Sequence, residues 1–390
     1  MENFEFISPT KIIFGRDTES LVGDEVKKYS NKILFHYGGG SIKRIGLYEK
    51  VVNSLEKAGV KFIELPGVKP NPRLSLVQEG IKICRENKID FILAVGGGSV
   101  IDSAKAIGVG VPYEGNVWDF YIGKATPRET LPVGVILTIP GAGSEASNSS
   151  VITNEEGGYK RSLDNDVIRP KFAIMNPEVT FSVSPYYTAC GVADMMAHVM
   201  ERYFTNTVDT DLTDRLCEAT LKTIIKNAQI VLEEPKNYAA RAELMWASTI
   251  AHNGLLGTGR TGDWASHLIE HELSGLYDVT HGAGLAVIFP AWMKYVYKHR
   301  IDKFVQFAAR VWSIEPNFES LEKTALEGIE QLKEFFKKLG LPTTLKELNV
   351  PEKKFEEIAS RCTNNGTSTV GNFVKLSKED IVKILEIAEK

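Results

Sequence analysis

Two short apolar segments in the first hundred residues each run directly into three glycines and a serine. Residues 32–37 are followed by the turn 38–41, and residues 90–95 by the turn 96–99. After each turn, apolar residues recur at three- and four-residue intervals, which is the pattern of a helix with one buried face. A further apolar segment, residues 133–138, also ends at a glycine-rich turn. Strands that alternate with helices in this way predict βαβ units and a mostly parallel sheet.

The second half of the chain shows no convincing strand alternation and consists of successive helical patterns. We therefore predict an α/β domain over residues 1–182 and an all-helical domain over residues 183–390. The patterns predict helices at roughly 186–204, 210–232, 238–253, 263–276, 283–298, 318–339 and 378–389.

The composition excludes several classes of protein. Apolar residues make up 43% and charged residues 25% of the chain, and the formal net charge is −4. No block of like charge indicates a nucleic-acid or membrane partner. The four cysteines are scattered without a Cys-x-x-Cys pair, and no basic segment near the start leads into an apolar one. These features predict reduced cysteines and a cytoplasmic protein.

The paired glycine turns predict a nucleotide site. A backbone without side chains can approach a phosphate closely, and a helix amino terminus offers free N–H donors. One triplet alone is explained as well by the steric needs of a tight turn. Two triplets at equivalent strand ends match the ligand crevice of an open parallel sheet. Neither turn reads Gly-x-Gly-x-x-Gly, so the loop is a variant one.

The residues around the first turn indicate which nucleotide binds. No Asp or Glu stands at the end of the strand to accept a ribose 2′-hydroxyl hydrogen bond. Ser41, Lys43 and Arg44 offer a hydroxyl and two cations instead, which suits a 2′-phosphate. We therefore predict that NADP(H) is preferred, with NAD(H) as the alternative.

A second set of residues has the spacing of metal ligands. Asp194 and His198 lie four apart on one predicted helix, and His267 and His271 repeat that spacing on a later one. His281 follows at the start of the next helix. One carboxylate with three imidazoles suits a divalent transition metal, Fe(II) or Zn(II).

Burial separates this set from ordinary helix-surface pairs. Asp194 is flanked on both sides by apolar residues, so its helix is expected to be buried, where an unpartnered carboxylate or imidazole costs several kcal/mol. A metal ion is the simplest partner. His36, His252 and His299 stand alone and are expected to be structural or exposed.

These motifs together resemble the iron-containing (group III) alcohol dehydrogenases, and within them the branch of butanol dehydrogenases and NADPH-dependent aldehyde reductases. The resemblance implies a Rossmann-like amino-terminal domain and an all-helical domain, in a fold shared with dehydroquinate synthases. Its motifs are, in order, residues 96–102, 140–145 and 191–201, the pair at 267 and 271, and His281-Gly282.

The resemblance also implies roles for individual residues. The metal ligands would be Asp194, His198, His267 and His281, and His271 would stand beside the substrate, where we expect a proton relay. The cofactor-contacting positions would be Gly38, Gly39, Ser41, Asn71, Gly97, Gly98, Ser99, Asp102, Thr138 and Lys160.

The resemblance implies a metal-dependent interconversion of primary alcohols and aldehydes with a nicotinamide cofactor, carried out by a homodimer. The metal would be Fe(II), with Zn(II) as the alternative. A lyase of the dehydroquinate synthase type, a polyol dehydrogenase, and a nucleotide-binding regulatory protein with a structural metal are rival hypotheses. Cys362, expected in a turn, is either a pocket residue or a core thiol.

Overall fold

The computed structural model describes residues 1–350 and 354–390. Their contacts divide them into two compact units. The sheet unit contains Ile7–Val183 and Lys236–Asn253, and the helical unit contains Met1–Phe6, Ser184–Pro235 and the described part of Gly254–Lys390. The sheet unit ends at Val183, one residue after the predicted end of the α/β domain. However, residues Lys236–Asn253, from the second half of the chain, also belong to the sheet unit.

The sheet unit is built on a six-stranded parallel sheet in the order β1-β8-β5-β4-β2-β3. An antiparallel hairpin, β6–β7, lies outside that sheet and was not predicted. The strands are β1 Lys11–Phe14, β2 Lys32–Tyr37, β3 Lys61–Leu65, β4 Ile92–Gly96, β5 Val133–Leu137, β6 Ser149–Asn154, β7 Tyr159–Asp164 and β8 Phe172–Met175. The helices of this unit are α1 Val22–Lys27, α2 Ser41–Arg44, α3 Leu47–Lys57, α4 Leu74–Asn87, α5 Gly98–Gly110, α6 Trp118–Tyr121 and α9 Tyr238–His252, with short 3₁₀ turns at Thr18–Leu21, Asp166–Ile168 and Pro177–Ser182.

Both faces of the parallel sheet are buried, which explains the apolar runs in its strands. Leu34 and Ala94 belong to one apolar cluster, whereas their neighbours Phe35 and Val95 belong to another. Successive side chains of a strand point to opposite faces, so each cluster lies on its own side of the sheet. The predicted parallel α/β architecture is confirmed.

The parallel register brings three strand ends to one edge of the sheet. β4 pairs with β2 on one side and β5 on the other. The two glycine turns, after Tyr37 and at Gly96, therefore lie at neighbouring strand ends. Thr138 follows β5, and its backbone N–H donates to the carbonyl of Gly96 at 3.0 Å.

The helical unit confirms the all-helical prediction, with two helices between residues 300 and 363 that sequence patterns did not indicate. Its helices are α7 Pro185–Tyr203, α8 Asp211–Glu233, α10 Ala265–Tyr277, α11 His281–Val296, α12 Ile301–Trp312, α13 Leu321–Lys338, α14 Phe355–Cys362 and α15 Lys378–Glu389, with 3₁₀ turns at Leu255–Gly257 and Tyr297–Arg300. Across the described ranges, no helix is both long enough and apolar enough to cross a membrane.

One glycine fixes the approach of α11 to α7. A Cβ added to Gly282 would lie 2.0 Å from the carbonyl oxygen of Cys190, closer than any side chain tolerates. Only glycine therefore lets the first turn of α11 rest against the backbone of α7. This contact sets His281, the residue before Gly282, beside the buried face of α7.

Candidate metal centre and cofactor cradle

Helix α7 presents an acid and a histidine from one buried face. Asp194 and His198 are 7% and 4% exposed, and the helix is buried from Thr188 to Tyr203, as its apolar sequence predicts. The residues are one turn apart, and His198 Nδ1 lies 3.3 Å from Asp194 Oδ1. Both side chains therefore enter the same part of the interior.

Helices α10 and α11 bring two further histidines to this point. The rings of His198 and His267 are 4.7 Å apart between centroids, and those of His267 and His281 are 5.5 Å apart. His281 Nε2 lies 3.7 Å from Asp194 Oδ1. Donor atoms of Asp194, His267 and His281 all lie within 4.8 Å of one another, which is the spacing of ligands around one ion.

A buried carboxylate, Glu201, holds His267 in position. Its Oε1 accepts from Nδ1 of His267 at 2.8 Å and from the backbone N–H of the same residue at 3.1 Å. Its Oε2 accepts from the backbone N–H of Trp264 at 2.6 Å, at the start of α10. An ionised carboxylate can only accept, so Nδ1 carries the proton and Nε2 keeps its lone pair.

The residues present fit a divalent metal. His267 Nε2 is buried and has no hydrogen-bond partner among the residues that the structure describes. A buried acceptor left in that state costs free energy, and a cation at that nitrogen removes the cost. One carboxylate and three imidazoles are also a donor set that Fe(II) and Zn(II) accept, whereas Mg²⁺ and Ca²⁺ prefer oxygen.

His271 lies beside this group. Its ring centroid is 6.4 Å from that of His267 and 5.5 Å from that of His281, and the side chain is buried. Donor atoms of Glu270, His271 and His281 form a second set within 4.8 Å. The structure thus brings together all five residues that the sequence singled out.

The expectation for Cys362 was wrong in one respect. Cys362 is the last residue of α14 and not part of a turn. It is partly exposed, and its Sγ lies 3.8 Å from the carbonyl of Leu268 on α10. Its place in a substrate pocket stays a prediction.

The glycine turn after β4 forms a closely fitted backbone surface. A Cβ on Gly98, the first residue of α5, would lie 2.8 Å from the Cβ of Ala142, and one on Gly97 would lie 3.2 Å from the Cβ of Ile139. This turn therefore has no space for a side chain at Gly98 and little at Gly97, and the free N–H groups of α5 begin here. Ser99 lies in the first turn of that helix.

The turn after β2 is more open. A Cβ on Gly39 would meet no atom within 4 Å, whereas one on Gly38 would lie 3.4 Å from the carbonyl of Val68. Ser41 begins the short helix α2, and Lys43 Nζ lies 4.5 Å from the ring centre of Tyr48. This surface has the space and the positive charge that an anionic ligand requires.

The other predicted cofactor residues line the same unit. Asn71, Thr138 and Lys160 are buried, at 6%, 8% and 4% exposure, and Asn71 has a left-handed backbone with φ of 54°. Asp102 accepts from Ser144 Oγ at 2.5 Å and from the backbone N–H of Val151 at 3.0 Å. Burial raises the pKa of its carboxyl. Asp102 therefore ties α5 to the loop after β5.

Sequence reasoning missed Lys105, one turn after Asp102 in the apolar helix α5. The side chain is fully buried, and its ammonium donates to Ser144 Oγ at 3.0 Å, to the carbonyl of Ser147 at 3.0 Å and to that of Ser149 at 2.8 Å. Burial lowers the pKa of Lys105 to about 8. A lysine in an otherwise apolar helix was the available signal. Lys105 fixes the loop that faces the glycine turn.

The isolated histidines behave as expected. His36, in β2, is fully buried, with Nδ1 2.8 Å from the carbonyl of Leu65 and Nε2 2.9 Å from Ser103 Oγ. Burial lowers its pKa to about 4, so it is a neutral structural residue. His299 is exposed.

A parallel sheet with two glycine turns, and a cluster of one acid and several histidines, are the features expected of a metal-dependent nicotinamide oxidoreductase. Comparison with known proteins gives the family. Residues 9–177 match the model "Iron-containing alcohol dehydrogenase", and residues 188–388 match "Fe-containing alcohol dehydrogenase family, C-terminal". The chain belongs to this family and to its butanol dehydrogenase branch, as the sequence motifs indicated.

Individual relatives cover the whole chain. It is 45% identical, over 99% of both chains, to the probable NADH-dependent butanol dehydrogenase 2 of Bacillus subtilis. It is 33% identical, over 100% of both, to the NADPH-dependent aldehyde reductase YqhD of Escherichia coli. The structure matches that of NADH-dependent butanol dehydrogenase A from Thermotoga maritima with a TM-score of 0.96 and 42% identity, over 100% of this chain and 99% of that one. The protein is therefore an NAD(P)-dependent alcohol/aldehyde oxidoreductase, and the rival lyase and polyol dehydrogenase hypotheses receive no support.

Proposed function

We propose that the protein interconverts butanol-sized primary alcohols and their aldehydes, with Fe(II) bound by Asp194, His198, His267 and His281. The observation that carries this proposal is that donor atoms of Asp194 and His281 lie within 4.8 Å of His267, whose buried Nε2 has no partner among the described residues. His198 lies beside them, with its ring 4.7 Å from that of His267. The substrate class comes from relatives named butanol dehydrogenase and aldehyde reductase.

The proposed reaction combines hydride transfer at a polarised substrate oxygen with the transfer of one proton. Fe(II), or Zn(II) in its place, supplies Lewis-acid polarisation of the substrate oxygen when bound, and a bound nicotinamide donates or accepts the hydride. Asp194, His198, His267 and His281 would hold the ion from the buried helices α7, α10 and α11. Aldehyde reduction also consumes one proton, and in this proposal His271 delivers it to the oxygen that becomes the alcohol hydroxyl. In alcohol oxidation, His271 accepts that proton.

The assay that tests this function uses butanal and NADPH. Oxidation of NADPH is followed at 340 nm before chelation, after chelation, and after Fe(II), Zn(II) or Mn(II) is restored. The expected result is turnover that disappears with the metal and returns with Fe(II). Full activity in the metal-stripped protein would contradict the ligand assignment.

The proposed cofactor preference is for NADP(H), with NAD(H) accepted. It is supported by Ser41, Lys43 and Arg44 beside the open turn at Gly39, and by the sequence of residues 38–46, which contains no Asp or Glu. Relatives are named for both cofactors, those of Bacillus subtilis for NADH and YqhD for NADPH. The residues near the turn are therefore the basis for the preference.

The preference is measured as the ratio of kcat/KM for NADPH and NADH. Replacing Lys43 and Arg44 by Ser should lower kcat/KM for NADPH at least about 10-fold, because a single charge-assisted contact to a phosphate is worth about 1.5–3 kcal/mol. The value for NADH should change little. Equal efficiency with the two cofactors, or better efficiency with NADH, in the unmodified protein would refute the preference.

The proposed assembly is a homodimer. Strand β1 is an edge strand, paired with β8 alone among the described strands. Phe14, the last residue of this strand, and Trp246 of α9 are 39% and 43% exposed and make an edge-to-face contact at 6.5 Å. An open strand edge with exposed aromatic rings suits a second copy of the chain. Sedimentation should show a dimer that Phe14→Glu converts to a monomer.

The remaining expectations from the sequence stay predictions. These are the division into domains at residues 182 and 183, the cytoplasmic location, and the absence of nucleic-acid and membrane partners.

A further inference from the structure

We propose that Glu270 is a positioning residue of the metal centre, which holds the ring of His281 so that its Nε2 faces Asp194. This inference rests on the proposed metal site, since His281 is one of its ligands. Glu270 is fully buried on α10, three residues after His267. A buried carboxylate requires partners that favour its charge, and the structure supplies them on two sides.

His281 needs such support more than the other candidate ligands. Its side chain is 24% exposed, against 10% for Asp194 and 6% for His267. It is the first residue of α11, so no preceding helical turn packs against it. Packing alone therefore restricts this ring least.

The hydrogen bonds of Glu270 supply the missing restraint. One carboxylate oxygen, Oε2, accepts from Nδ1 of His281, and the other, Oε1, accepts from the hydroxyl of Ser274. Because an ionised carboxylate only accepts, Nδ1 of His281 is protonated and Nε2 is the nitrogen with a lone pair. That Nε2 lies 3.7 Å from Asp194 Oδ1, inside the ligand set.

The absence of a side chain at Gly284 leaves the space that the Glu270 carboxylate occupies. A Cβ on Gly284, one turn after His281 in α11, would lie 2.7 Å from Glu270 Cγ and 2.8 Å from its Oε1. Any side chain at residue 284 would displace the carboxylate. Gly284 thus admits Glu270 to the space beside His281, as Gly282 admits the helix end to α7.

The arrangement repeats the one at His267. Glu201 binds Nδ1 of His267 from α7, and Glu270 binds Nδ1 of His281 from α10. Carboxylates that accept from the outer nitrogen of a ligand histidine fix its tautomer and raise its basicity. The two carboxylates therefore act on two different ligands, and each ring presents Nε2 to the same point.

The test measures metal affinity in three variants of the full-length protein. Metal-free protein is titrated with Co(II) against a competing chelator, and the Co(II) visible absorption spectrum is recorded. Glu270→Leu should weaken Co(II) binding about 10- to 100-fold, the usual effect of losing such an outer carboxylate. Glu270→Gln should lose less, because its amide oxygen still accepts from Nδ1.

Glu272→Gln is the matched control. Glu272 is also buried on the same helix, and its carboxylate pairs with Arg361 of α14. It should bind Co(II) with the affinity and spectrum of the unmodified protein. If Glu270→Leu does not fold, Gly284→Ala supplies the same test, since its methyl group displaces the Glu270 carboxylate.

Three outcomes separate the possibilities. Unchanged affinity and spectrum in Glu270→Leu and Gly284→Ala would overturn the positioning role. Complete loss of the Co(II) spectrum in Glu270→Gln, as in a variant without His267, would also overturn it and make Glu270 a ligand. Failure of the unmodified protein to bind one Co(II) ion would instead reject the proposed metal site itself.

Discussion

The candidate metal centre and the glycine turns differ in the atoms that form the binding surface. The metal centre depends on side-chain atoms, carried by the buried helices α7, α10 and α11. The glycine turns depend on backbone atoms at strand ends, where side chains are absent. A site of the first kind is damaged by removing atoms, and one of the second kind by adding them. Substitutions in the two regions should therefore fail in opposite ways and for separable reasons.

Removing a ligand should have the largest effect. His267→Ala should lose the bound metal and lower kcat for butanal reduction by more than about 1,000-fold, because substrate polarisation depends on the ion. Metal content is measured by elemental analysis beside turnover. The exposed His299→Ala is the control and should keep both. Retained metal in His267→Ala would break the proposed ligand set.

Replacing His271 should separate proton transfer from metal binding. His271→Asn should lower kcat about 100-fold or more while metal content stays unchanged, because general acid–base catalysis contributes factors of that size. The measurement combines steady-state kinetics with metal analysis. Loss of metal in this variant would make His271 a ligand and His281 or another residue the outer one.

Adding atoms to the glycine turn should affect the cofactor and spare the metal. Gly98→Val should weaken NADPH binding about 10- to 100-fold, since overpacking costs about 1–3 kcal/mol and its Cβ would lie 2.8 Å from Ala142. Fluorescence titration with NADPH measures this. Gly39→Ala is the matched variant in the other glycine turn. Its Cβ meets no protein atom within 4 Å, so weaker NADPH binding in this variant would report contact with the cofactor itself.

The smallest expected effect is on folding stability and not on turnover. It concerns His36, the buried histidine of β2. Its pKa is lowered from 6.5 to about 4, so between these values the unfolded chain binds a proton that the folded chain does not. Stability therefore falls as pH drops, by about 2 kcal/mol from this residue between pH 7 and pH 5. Urea unfolding of His36→Gln should show a smaller loss over that range. An equal loss in both proteins would contradict the assigned role of His36.

The sequence predicted the regular parts of the fold well because their signals are local. Strands β2, β3, β4 and β5 are apolar runs bounded by glycine or charged turns, and the helix that carries Asp194 is apolar on all sides. Strands β1 and β8, the hairpin β6–β7 and helices α12 and α14 were among the elements missed. Strands β1 and β8 have four residues each and pair with each other although they are far apart in sequence, and the hairpin and α14 contain few apolar residues.

The candidate site was predicted to a similar extent. Asp194, His198, His267 and His271 were found because helical spacing of four residues puts side chains on one face. Glu201 and Glu270 were missed, although each lies three residues after a candidate ligand on the same helix. The signal was an acid in an apolar helix, but sequence alone does not show whether such an acid faces solvent or a histidine on another helix.

The sequence by itself determined the alternation of strands and helices, the glycine turns and the residues able to bind a metal, because these are properties of neighbouring positions. The tertiary structure decided which nitrogen of His267 and of His281 is paired with a carboxylate, and which carboxylate that is. Those choices depend on contacts between helices far apart in the chain, such as the approach of α11 to α7 that Gly282 permits. The distances between packed helices, a few ångström at these contacts, determine which groups form hydrogen bonds. The spacing of residues along the chain does not specify those distances.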